Sequence, residues 1–223
     1  MDDKINNDLI KPVVQITNQT GGFHYIYVTS LIYVLSIYMM PVLFLIGSSN
    51  TTFYFFLIPF GLGIVNIIVS IMCGRTENRI VLLNAAVLIK YSLIPFFMIG
   101  GCLIVVTFLF SFIPVPFMIF VGPMVALLEA GVGWFALALG APYTISYLCV
   151  SAKEKLRPKS MVVIHSILQF FFVVDVIDLM VLTLKERKWR KLTITIIILM
   201  AIFALLMLIL LILGITGSIT HGS

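Results

Sequence analysis

The stretch Met161–Leu184, MVVIHSILQFFFVVDVIDLMVLTL, decides the fold. As one helix it would measure ~36 Å at ~1.5 Å per residue, enough to cross a ~30 Å hydrocarbon core. Its flanks argue differently. Before it lies Ser151–Ser160 (SAKEKLRPKS) with four basic residues, and after it Lys185–Lys191 (KERKWRK) with five. A crossing helix would put these two runs on opposite faces, whereas Lys and Arg collect on the cytoplasmic face. Inserting one Asp near the centre costs only ~2.5–3.5 kcal/mol, which the many Phe, Val, Leu and Ile residues can offset. A true span is therefore the first expectation. A re-entrant or interfacial helix is the alternative.

Working outward, five further apolar blocks appear: Tyr25–Gly47, Phe53–Cys73, Ile80–Phe112, Val115–Val150 and Leu192–Leu213. The chain has 223 residues, 61% hydrophobic and 10% charged, with mean hydropathy +1.19. A water-exposed surface needs roughly 25% charged residues, so a soluble globular domain is excluded. The predicted fold is all-α: a polytopic transmembrane bundle of six membrane helices (range five to seven), kinked by proline. Residues 1–24 form a polar tail, 25–213 a single helical membrane domain, and 214–223 a short C-terminal tail. The acidic, mixed start MDDKINNDLIKP does not read as a signal peptide, so the first span is expected to be retained.

If all six blocks cross once, the N-terminus is cytoplasmic, and eight basic residues of the tail and loops lie inside against five outside. If the fifth block re-enters, all thirteen lie inside; if the fourth block is a hairpin, nine lie inside and four outside. The fourth block would be ~54 Å long as one helix and must tilt, protrude or break. Gly122-Pro123, Gly131-x-Gly133 and Gly140-Ala141-Pro142 are its break points. A kink is expected there rather than a complete hairpin.

Four charged residues sit inside apolar blocks: Lys90, Glu129, Asp175 and Asp178. Each must pair, neutralise or reach water. The Lys90 stem is long enough to snorkel to the cytoplasmic headgroups; Glu129 lies too deep to do so. Asp175 and Asp178 are three apart, on neighbouring parts of one helix face, and His165 and Gln169 are four apart on another. Two polar faces mark a helix packed on protein. The candidate site is therefore an intramembrane polar cluster of Lys90, Glu129, His165, Gln169, Asp175 and Asp178, with Lys90 paired to Asp175 or Glu129. Such a cluster serves either as a proton, ion or solute site or as a structural lock between helices.

Other features point away from catalysis. His165 has no second His or Cys at ligand spacing. No GxSxG, HExxH, P-loop or dinucleotide fingerprint occurs. Cys73, Cys102 and Cys149 are far apart and read as small apolar side chains. Neither metal nor cofactor is expected. The +5 net charge reflects loop topology rather than nucleic-acid binding. In KERKWRK, the residues Lys185, Arg187, Lys188, Trp189, Arg190 and Lys191 read as a lipid-interface anchor. Ala126-xxx-Ala130 and Ala136-xxx-Gly140 permit close helix approach. The sixth block is expected to face lipid. Asn18 and Asn50 match short glycosylation sequons.

Two stretches carry a resemblance. NAAVLIKYSLIPFF (Asn84–Phe97) has an Asn, a Lys six residues on, then Ile-Pro and aromatics. QFFFVVDVIDLMVL (Gln169–Leu182) opens on Gln-Phe and carries Asp-Val in its middle. With the Gly-rich fourth segment between them, the region Phe53–Leu184 resembles a family of uncharacterised small polytopic membrane proteins of Gram-positive bacteria. The resemblance implies a bacterial cell membrane and no known activity; it marks Lys90 and Asp175 as positions of interest. The last span, Leu192–Leu213, looks like an addition to it. The functional expectation is a non-enzymatic subunit or accessory of a membrane assembly, partnered by the lipid bilayer and other membrane subunits. The alternative is a small-solute or ion/proton transporter subunit using intramembrane carboxylates.

Overall fold

The computed structural model describes residues 20–46, 49–76, 79–112 and 115–221, and among these it is all-helical. The helices are α1 (Thr20–Ile46), α2 (Ser49–Thr76), α3 (Arg79–Leu109), α4 (Met118–Gly140), α5 (Pro142–Lys153), α6 (Lys159–Leu168), α7 (Val174–Lys185) and α8 (Arg190–His221). A single 3₁₀ turn, Phe110–Phe112, follows α3. Four stretches are long and apolar enough to cross a membrane: Tyr25–Val42, Leu57–Arg75, Arg79–Phe112 and Met118–Lys153. Asn18 and the Asn50 side chain lie outside the described residues.

The chain forms two compact units, Met1–Asp178 and Leu179–Ser223. In the first, α3 packs against α1, α4 and α5, while α2 packs against α1, α4 and α5. Small residues set the closest approaches. A Cβ on Gly122 of α4 would stand 3.0 Å from both the Ser111 backbone nitrogen and the Thr107 carbonyl oxygen. A Cβ on Gly63 of α2 would stand 2.6–2.8 Å from the Leu139 side chain. Tyrosine hydroxyls tie helices together. Tyr33 donates to the Ala136 carbonyl at 2.7 Å and Tyr38 to the Ser92 carbonyl at 2.6 Å. Pro95, inside α3, has no N–H to donate to the Tyr91 carbonyl one turn earlier. In the second unit, the Thr183 and Thr193 hydroxyls are 3.1 Å apart and buried.

The fourth block breaks where Gly140-Ala141-Pro142 predicts. Ala141 keeps right-handed helical dihedrals (φ −71°, ψ −27°) and Pro142 opens α5, so the interruption is a kink rather than a reversal. The helix runs unbroken through Pro123. At the end of α5, Lys155 takes φ 58°, the Leu156 N–H bonds the Ser151 carbonyl and the Lys155 N–H bonds the Ala152 carbonyl. This is a Schellman-type stop with Lys in place of the usual Gly. Arg79 at the start of α3 pairs with Glu154 at 2.9 Å, so the start of α3 and the end of α5 share one end of the first unit.

The fifth block departs from the single continuous helix expected on length. It is two short helices, α6 and α7, separated by residues 169–173. Their lengths, ~15 and ~18 Å, are each too short for a ~30 Å core. The connection tightens first: the N–H groups of Gln169, Phe170 and Phe171 each bond a carbonyl three residues back. Val173 then takes φ 67°, a left-handed conformation that is strained for a β-branched residue. That the chain doubles back is shown by side chains. His165 and Asp178 would be ~20 Å apart on one helix, yet His165 Nδ1 is hydrogen-bonded to Asp178 Oδ1.

Candidate functional site

The reversal brings Gln169 and Asp175 to Lys90 of α3, and His165 to Asp178. Lys90 lies ~16 Å along α3 from Arg79, and Gln169 lies ~15 Å along the chain from Lys159 at the start of α6. The Arg79–Glu154 pair holds the two starting levels together, so Lys90 and Gln169 meet at similar depth. Lys90 Nζ donates to Gln169 Oε1 and lies 3.0 Å from Asp175 Oδ2. Gln169 Nε2 donates to Asp178 Oδ2 at 2.6 Å and to the His165 carbonyl at 3.2 Å. His165 Nδ1 closes the chain on Asp178 Oδ1. Gln169 is the hinge of this network: its carbonyl faces the ammonium, and its amide faces the second carboxylate.

The cluster is dry. Lys90 is 3% exposed, Asp175 2%, Asp178 6% and Gln169 0%; the His165 side chain is 13% exposed. Lys90 therefore does not snorkel. Its ammonium is held by Asp175 and Gln169, because turning away would strand both charges without partners. Asp175 Oδ1 is buried without a hydrogen-bond partner. Beyond the polar ring, the tip is apolar: the Phe172 ring stands edge-on to Phe97 at 6.0 Å and lies against Gly133.

Glu129 is not part of this cluster. It is half-buried on α4 and accepts a 3.3 Å bond from Thr107 Oγ1. Lys185, Arg187, Lys188, Trp189, Arg190 and Lys191 are all exposed, within the second unit. Arg187 and Trp189 have φ of 54° and 56°. No group of three or more His, Cys, Asp or Glu side chains suited to a metal occurs among the described residues.

A second polar group was missed in the sequence. The Tyr143 hydroxyl bonds Asn66 Oδ1 at 3.3 Å and meets Thr29 Oγ1 at 3.1 Å, while Ser70 and Ser146 hydroxyls are 2.7 Å apart. Asn66, Ser70 and Tyr143 are fully buried, and Asn66 Nδ2 has no partner. The available signal was Asn66 itself, an amide in the middle of an apolar block, with Ser70 one turn away. The bundle also holds a cavity of ≈ 330 Å³ with an apolar lining that includes Tyr33, Phe60, Phe96 and Phe135. Neither Glu129 nor Asp175 lines it.

Residues 22–191 match the model of a family described as Family of unknown function (DUF6652). The chain belongs to this family. The match extends beyond Phe53–Leu184 at both ends and stops at Lys191, so almost all of α8 lies outside it. It contains every residue of the polar cluster. No curated protein and no solved structure matches the chain. Family membership therefore comes without an assigned activity.

Proposed function

We propose that this protein is an integral membrane protein that acts as a non-enzymatic subunit or accessory of a membrane assembly. The observation that carries the proposal is the buried polar cluster, which ties Gln169 and Asp175 to Lys90 of α3 inside an otherwise apolar exterior. Ionic and amide groups are buried at Lys90, Asp175, Gln169 and Asn66, while Leu, Ile and Phe side chains crowd the outer surface. That distribution is unfavourable in water and natural in lipid, where buried polar groups tie helices together.

The hairpin supports a topology. The four long apolar stretches cross, the N-terminus is cytoplasmic, and α6–α7 enters and leaves on the cytoplasmic face. Lys185–Lys191 then joins the other loop charges inside. Every Lys and Arg except Lys90 lies on that side, as the positive-inside rule favours. The polybasic run with Trp189 rests at the lipid interface, and α8 is a fifth crossing. This is one crossing fewer than six, and the difference is the re-entrant fifth block. We place the protein in a bacterial plasma membrane, following the family resemblance.

Affinity capture of the tagged full-length chain from mildly solubilised membranes tests the assembly role. A stoichiometric integral-membrane partner is the expected result; a chain recovered alone as a monodisperse species contradicts it. A second reading, a transporter subunit, is favoured by one observation: the buried, unpartnered Asp175 Oδ1. Ion or proton flux in vesicles holding only this chain would favour transport over assembly.

A further inference from the structure

The charge of the polar cluster does not close. Lys90 supplies one positive charge, whereas Asp175 and Asp178 supply two negative charges. With a neutral His165, one net negative charge is left among groups that are almost fully buried. An uncompensated buried charge is costly, and a buried group escapes the cost by changing its protonation state. The hydrogen bonds show where the imbalance lies. Asp175 faces the Lys90 ammonium at 3.0 Å. Neither hydrogen-bond partner of Asp178 among the described residues is a fixed cation: they are the Gln169 amide and the His165 ring.

We propose that the His165–Asp178 pair is a proton-binding site that takes one proton from the aqueous phase and so neutralises the cluster. The proton forms a second N–H bond on the His165 ring or an O–H bond on the Asp178 carboxyl; nothing is oxidised, and no other bond breaks. The groups facing the pair come from three elements: Lys90 from α3, Gln169 from the end of α6, and Asp175 from α7. His165 is the most exposed member and so the point at which the proton exchanges. The bound proton strengthens the link between α6 and α7; its loss leaves a net negative charge at the base of the hairpin. This inference deepens the reading of the cluster as a lock and rests on it.

The test uses the full-length chain in lipid vesicles in sodium-free buffer, with ¹⁵N-histidine for NMR and infrared spectroscopy for carboxyl groups, near pH ~7. His165 is assigned by the signal lost in His165→Gln. The expected result is an imidazolium spectrum for His165, or a protonated-carboxyl band that Asp178→Asn removes. In Asp178→Asn the His165 ring should become neutral. In His165→Gln, which keeps all three charges, a protonated-carboxyl band should appear. That second variant decides the matter even if Asp178→Asn fails to fold. A neutral His165 with both carboxylates ionised in the native chain would overturn the proposal. So would an imidazolium unchanged in Asp178→Asn, or spectra that respond to added sodium and not to pH. Failure of partner capture would remove the assembly role and leave the proton site standing.

Discussion

At the residue scale, Lys90 and Asp175 are a buried pair, and their coupling follows from burial. Removing one partner leaves the other charge uncompensated, which costs ~3–5 kcal/mol in a dry site. Lys90→Met and Asp175→Asn should therefore each lower thermal stability strongly in purified protein. The double variant should recover a large part of the loss, since it removes both charges. Equal and additive losses would show that the two side chains are not coupled. Glu129 provides the contrast. It is half-buried with one long bond to Thr107, so Glu129→Gln should change stability by under about 1 kcal/mol. The sequence placed both residues at membrane depth but could not separate them. Hydropathy measures depth along a helix, whereas pairing depends on which neighbouring helix each face meets. Gln169 is the clearest case: an amide at the end of a short helix becomes the bridge between Lys90 and Asp178 only once the chain reverses.

At the scale of elements, the reversal at residues 169–173 was hidden for a physical reason. The segment QFFFV holds no Gly, Pro, Asn or Asp, the residues that normally mark a turn. Its turn coincides with bonds between side chains on either side of it, from His165 and Gln169 to Asp178. Val173 bears the strain of that turn. A left-handed conformation costs ~1–3 kcal/mol for such a residue, more than the ~0.5–1 kcal/mol by which Gly penalises regular structure. Val173→Gly should thus raise the unfolding midpoint; a clear fall would mean the residue is not held at positive φ. The fourth block was more legible, because Gly140-Ala141-Pro142 is a local signal and the kink lies there. Packing between α3 and α4 depends on Gly122, whose missing side chain admits the Thr107 and Ser111 backbone. Gly122→Ala should cost ~1–3 kcal/mol through overpacking, read as a lower unfolding midpoint; unchanged stability would show that the two helices have room to separate.

At the scale of the whole molecule, composition and block length were enough to identify helices long enough for a membrane, and charge pattern alone raised the question of the fifth block. Two arguments from the sequence disagreed there: length favoured a crossing, and the basic runs favoured a return. The side-chain bond between His165 and Asp178 shows that the chain reverses within the fifth block, and the return is our proposal from it. The topology is tested most directly by cysteine accessibility labelling at Lys188→Cys, in a chain lacking Cys73, Cys102 and Cys149, with Lys155→Cys as reference. Lys155 and Lys188 are both exposed, so an impermeant reagent reaches each from whichever side it faces. A re-entrant α6–α7 hairpin predicts that Lys188→Cys labels only from the cytoplasmic side, together with Lys155→Cys. Labelling of Lys188→Cys from the opposite side to Lys155→Cys would show that the fifth block crosses and would contradict the hairpin topology.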